Sequence, residues 1–211
     1  LELLANKGIE GYFSSCLTLT LGNRFRHVAD EDVFFVDVLF GYPTWRTVFG
    51  SFNGFQKAIE KGDIFLLGKR DRVLRAVFGQ DIVAAAEEVT HVYDAQTCPT
   101  ENRRFELAER TLERYERARL VVTSRIHCAL PCVAMGTPVI FVNGGFRQAS
   151  ARRFTGNDRL FHTINISRDG SVSASCDMNG VKRDRSAPVK KDHLEYVEAL
   201  ARRCKEFVAE S

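Results

Sequence analysis
Six short apolar runs, separated by stretches of helical pattern, constrain this chain more than any other feature of its sequence. They read "GYFSSCL" (11–17), "VFFVDVL" (33–39), "VTHVYDA" (89–95), "RLVVTS" (119–124), "PVIFVN" (138–143) and "LFHTINI" (160–166). Each is bounded by turn-forming or charged residues. Strands with nearly continuous apolar character are buried on both faces, and strands alternating with helical segments assemble into parallel sheets through crossover connections. The expectation is a Rossmann-like α/β fold, a parallel sheet with crossover helices, spanning residues 1–211 as one domain.

The helical segments support that reading. "TENRRFELAERTLERYERA" (100–118) places Phe105, Leu107, Ala108, Leu112 and Tyr115 at roughly helical spacing, and Thr100 supplies its start. "TWRTVFGSFNGFQKAIEKG" (44–62) and "DRVLRAVFGQ" (71–80) read as amphipathic helices. Residues 167–189, rich in Ser, Asp, Gly and basic residues, read as a variable loop or hairpin. A helix over 190–209 closes the chain, with Leu194, Val197, Leu200 and Cys204 on its apolar side. The opening "LELLANKG" reads as the tail of a helix already under way, so the natural N-terminus is expected to lie upstream of Leu1.

Composition excludes several classes. Lys and Arg total 30 against 27 Asp and Glu, a net charge of +3, so no global field points to nucleic acid. No run approaches the length of a membrane span, and the opening residues carry no signal-peptide pattern. The six cysteines are scattered, and at least Cys16, Cys128 and Cys132 lie in apolar surroundings. That pattern fits reduced thiols in a cytoplasmic protein better than a disulfide framework.

The stretch richest in chemistry is "SRIHCALPC" (124–132), which sets Arg125 and His127 two residues apart directly after Leu120, Val121 and Val122. Pro131 lacks the N–H that would bond the carbonyl of His127, so a helix here is expected to start near His127 or Cys128. Residues 124–127 then form a strand-to-helix turn. Such turns lie at the carboxyl edge of a parallel sheet, where open α/β proteins bind ligands and where a helix N-terminus favours anions. The alternative is that Arg125 pairs with a surface carboxylate and His127 bonds a backbone carbonyl.

"ERARLVVTSRIHCALPCVAMGTPVIFVN" resembles the C-terminal core of the polysaccharide pyruvyl transferase family, whose hallmark is a Ser-Arg-Leu-His segment, an Ala/Leu-rich helix, Gly-x-Pro and a strand. "GYFSSCLTLTL" and "RRFTGNDRLFHTINI" resemble flanking segments, so the likeness covers about residues 1–166. Ile126 replaces the usual leucine, and Cys128 stands where many members carry glycine. The resemblance implies the C-terminal half of a GT-B-type two-domain enzyme, with the companion N-terminal domain missing from this chain. It implies transfer of a pyruvyl group from phosphoenolpyruvate onto hydroxyls of a sugar or glycan acceptor as a ketal, without cofactor or metal. Arg125 and His127 are then the catalytic candidates, and Ser124, Asn143, Gly144 and Arg147 the substrate-binding ones.

Position supports the last three independently: "NGGFRQASARR" (143–153) is a glycine-containing, arginine-rich turn after the next strand, though an ordinary loop with surface arginines would look the same. Asp30-Glu31-Asp32 has the spacing of a metal-binding D-x-D but reads better as a solvated acidic turn. Cys128 and Cys132, one helical turn apart beside His127, read better as core than as zinc ligands, since a fourth ligand is not apparent. Ser14, Ser15 and Thr18 stay ambiguous. Two other functions fit the same residues: a glycosyltransferase in which Arg125 meets a nucleotide-sugar diphosphate, and a non-catalytic ligand-binding half-domain.

The chemistry explains why two cation-capable side chains would end a buried strand. Phosphoenolpyruvate carries a phosphate and a carboxylate close together, and its methylene carbon must be protonated as a hydroxyl attacks. Arg125 can clamp one anion through two parallel hydrogen bonds, and a protonated His127 can bind the other or serve as the acid.

Overall fold
In a computed structural model of the chain, residues 6–8, 15–28, 32–39, 70–93, 96, 98–144, 156–167 and 169–209 are described. The apolar runs form a sheet of order β2-β1-β3-β4-β5-β6. Its strands are β1 Val33–Val36, β2 Glu87–Val89, β3 Leu120–Thr123, β4 Val139–Gly144, β5 His162–Ile166 and β6 Val172–Ala174. β1 through β5 are mutually parallel, with Phe34 opposite Val121 and Val122 opposite Ile140; only β6 runs antiparallel, against β5. The mixed α/β, mostly parallel architecture is the one the sequence implies.

Period-two burial divides the core between the two faces of this sheet. Phe34, Val36, Val121, Val139 and Phe141 face one layer. It contains a 3-10 helix, Leu17–Asn23, together with α3 (Glu101–Arg117) and α4 (Ile126–Met135). Val33, Phe35, Leu120, Val122, Ile140, Val142 and Ile164 face the other. That layer holds α1 (Arg70–Phe78), α2 (Gln80–Ala85) and α5 (Met178–Asp184). The connection from β1 to β2 therefore crosses one face, and those from β2 to β3 and from β3 to β4 cross the other. The winding sense reverses between β1 and β3, so the crevice at their carboxyl ends is the topological switch point of the sheet.

Local chemistry sets the element ends. The Thr100 hydroxyl accepts from the Arg103 amide at 3.2 Å, capping α3 where the sequence implied. Gly136 ends α4 in the left-handed region at φ 82°, its N–H reaching the Cys132 and Val133 carbonyls. Gly22 lets the 3-10 helix approach α4 directly, since a Cβ there would stand 2.2 Å from the Ala134 carbonyl oxygen.

Several expected elements differ. The described part of 11–17 is not strand: residues 15–16 are irregular and the 3-10 helix begins at Leu17. The 33–39 run leaves the sheet after Val36 because Asp37 and Leu39 adopt positive φ, and the described part of the 89–95 run contributes only Val89 to a strand. The 71–80 helix begins at Arg70, breaks at Gly79 and resumes as α2. Residues 167–189 contain both β6 and α5. The final helix, α6 (Leu194–Ala209), buries none of its residues: Leu194 is 48% exposed and Phe207 73%. Residues 44–62 lie outside the described part. No helix among the described residues is long and apolar enough to cross a membrane.

Candidate functional site at the β1/β3 switch point
The carboxyl end of β3 is held by two consecutive hydroxyls. Thr123 Oγ1 donates to the Val36 carbonyl at 2.9 Å and accepts from the Arg125 amide at 3.0 Å. Ser124 Oγ donates to the Val142 carbonyl at 2.7 Å and accepts from the Leu39 amide at 3.1 Å. These bonds tie the exits of β1, β3 and β4 into one rigid edge. Ser124, a candidate for substrate binding, thus spends its hydroxyl on the edge itself.

α4 begins one residue earlier than the proline argument suggests, at Ile126, with Arg125 as its N-cap. The Arg125 side chain makes no capping bond, and its carbonyl accepts from the Cys128 and Ala129 amides. The amides of Ile126 and His127 therefore have no intrahelical acceptor, which leaves an open, electropositive helix start. Pro131 lies inside α4, so the His127 carbonyl also lacks its usual donor. Cys128 and Cys132 are fully buried on the core side.

Arg125 does not stand alone. Its Nε pairs with Oδ2 of Asp37, whose side chain is 2% exposed against 31% for the arginine. The same Asp37 oxygen accepts from the His91 amide at 2.9 Å, and the Asp37 amide donates to the Val89 carbonyl at 3.0 Å. One carboxylate thus joins the exits of β2, β1 and β3. The partner of Arg125 is a buried acid, not the surface carboxylate of the alternative reading.

His127 is exposed, and no described residue hydrogen-bonds its ring. It lines an open cavity of about 570 Å³ between α3 and α4, together with Leu21, Tyr93, Arg104, Leu112 and Pro131. His91 and Tyr115 lie on the same wall, with His91 Nε2 paired to the Tyr115 hydroxyl. Burial holds the His91 imidazole below its ordinary value; Asp37 opposes this and Arg125 adds to it. Burial likewise drives the Tyr115 phenol upward. Both therefore stay neutral near neutral pH, and the ion pair of this edge is Arg125 with Asp37.

Asn143 and Gly144 end β4 beside this turn. The Asn143 side-chain amide donates to Asn165 Oδ1 at 3.0 Å. Gly144 is a close-approach position: a Cβ would lie 2.9 Å from Ile166 Cβ and 3.3 Å from Leu39 Cδ2. Arg147 falls outside the described residues, as do Ser14, Asp30 and Glu31. Ser15, at φ 60°, donates to Asn157 Oδ1 at 2.6 Å. Thr18 donates to Cys16 Sγ.

Sequence reasoning missed Asp37 and His91. An acid inside "VFFVDVL" was the available signal, because an aspartate ending an apolar run needs a partner. Nothing in "VTHVYDA" marked His91 beyond its type.

A family model described as polysaccharide pyruvyl transferase matches residues 1–145, more than half of the chain. No curated protein and no solved structure matches it.

Proposed function
Because the chain belongs to the polysaccharide pyruvyl transferase family, we propose that its β1/β3 switch point holds phosphoenolpyruvate while a sugar hydroxyl of a glycan precursor attacks. The observation that carries this reading is the open N-terminus of α4, with Arg125 at its cap and His127 in its first turn. In the balanced reaction, the first hydroxyl oxygen bonds the donor's C2 as its C3 takes a proton and becomes a methyl group. A second hydroxyl then bonds C2, the C2–O bond to phosphate breaks, and the two hydroxyl protons offset the one on C3 and the one carried off by phosphate or water.

The chain's own residues serve these steps by charge and position. Arg125 offers its Nη edge to one donor anion while Asp37 holds Nε. The unbonded amides of Ile126 and His127 face the same developing charge. His127, exposed and at the cavity, binds the second anion or delivers the C3 proton. The GT-B-like companion domain, the glycan acceptor and a cytoplasmic setting belong to this proposal, and the companion domain would supply the opposite wall of the site.

Steady-state kinetics of the full enzyme with varied phosphoenolpyruvate tests the assignment. Arg125→Ala should lower kcat/KM for the donor by about 100-fold or more through loss of a charge-assisted contact. His127→Ala should lower kcat by about two to four orders of magnitude if it is the acid, and should mainly raise donor KM if it is an anion contact. Wild-type behaviour of both variants rejects the site.

A further inference from the structure
Asp37 is the one acid among the described residues whose side chain is buried, and three strand exits converge on it. A carboxylate so placed is costly unless its oxygens are paired. It also sits at φ 46°, where a non-glycine residue persists only when its surroundings hold it. Leu39, two residues on, shares that region at φ 48°, and Ser124 receives its amide. The backbone thus leaves the sheet by a strained path that carries the carboxylate beneath Arg125.

Resting on the donor-site reading above, we infer that Asp37 is a positioning residue for Arg125. It takes the guanidinium by Nε, the nitrogen nearest the chain, and so fixes the plane and turns the two Nη nitrogens away from the core. No described residue accepts from those Nη atoms. An exposed arginine without such a partner samples many rotamers and must give up that freedom when an anion arrives, whereas a guanidinium already held in plane loses little. The pair also sets the charge of the edge. Asp37 offsets one positive charge, so the affinity for a donor anion depends on directed Nη hydrogen bonds and not on raw attraction.

Two measurements on the full enzyme test this. In a ¹H–¹⁵N spectrum, the Arg125 Nε–Hε resonance, assigned by its disappearance in Arg125→Lys, should be shifted downfield and protected from exchange. In Asp37→Asn it should move to the position of a solvent-exposed arginine. Asp37→Asn should also raise donor KM by about 10- to 100-fold, the range seen when partners that orient a binding group are removed. In an Arg125→Ala background the same change should alter KM by less than about twofold, because a residue acting through another has no effect once that other is gone. Arg125→Lys provides the parallel case if Asp37→Asn folds poorly: it keeps the charge, loses the planar fork, and should cost nearly as much donor affinity as Arg125→Ala. An unmoved Nε–Hε resonance in Asp37→Asn, additive losses in the double variant, or full donor affinity in Arg125→Lys overturns the inference while leaving the donor site standing. Unchanged donor kcat/KM in Arg125→Ala removes the inference, and the same result in His127→Ala removes the donor site as well.

Discussion

Thr123 and Ser124 show how two small hydroxyls place a charged turn. Each bridges a neighbouring strand's carbonyl and an amide at the edge, so the position of Arg125 follows from backbone bonds and not from its own side chain. Thr123→Val keeps the shape and removes the hydroxyl, leaving the Val36 carbonyl without that donor and the Arg125 amide without its acceptor. It should lower unfolding stability by about 1–3 kcal/mol, measured as a lower urea midpoint with an unchanged slope. Ser124→Ala should likewise lower that midpoint. At this scale the place of Arg125 and His127 at the turn after an apolar run was legible in the sequence. It hid Asp37, because "VFFVDVL" reads as one uninterrupted strand and nothing in it announces that the backbone turns left-handed at its fifth residue. Partners brought together over 88 positions of chain are set by the sheet order, which no local pattern contains.

Elements were legible where their signals are local. α3 runs from its Thr100 cap over Glu101–Arg117 because its apolar spacing and its start agree. β3, β4 and β5 lie within a residue or two of their apolar runs; β3 and most of β4 are buried on both faces, which demands such runs, while β5 alternates. The first run misled because apolar character over a few residues does not separate strand from a short helix. Its described end belongs to the 3-10 helix packed on α4. Gly22 is the residue that contact depends on. Gly22→Ala puts a methyl 2.2 Å from the Ala134 carbonyl oxygen, and backbone cannot yield as a side chain does. The two helices must separate, at a cost on the order of 3 kcal/mol. A thermal melt should show the loss as a lower midpoint. α6 differs from expectation in a simpler way: its apolar side was legible, but only Tyr196 and Val197 pack against the core.

For the molecule as a whole, buried histidines make stability depend on pH. Burial lowers His91, His162 and His193 from their ordinary value of 6.5. Below that value the unfolded chain binds protons that the folded chain refuses, so stability is full above about 6.5 and falls as pH drops toward the folded-state values. Melting temperature should therefore decline between pH 7.5 and 5.5, and His91→Gln should flatten part of the decline. A flat profile would mean that these imidazoles accept protons without opening the fold.

The sheet sets the candidate site, since the reversal of winding between β1 and β3 leaves Arg125, Asp37 and the open start of α4 at one crevice. The most direct test is a titration of the ¹⁵N-labelled full enzyme with phosphoenolpyruvate, followed residue by residue. Saturable shifts should concentrate on the Ile126 and His127 amides, the Arg125 side chain and the neighbouring amides of Leu39 and Gly144. Saturable shifts confined to another part of the molecule, or no shift at this edge when the donor is saturating for turnover, would contradict the account.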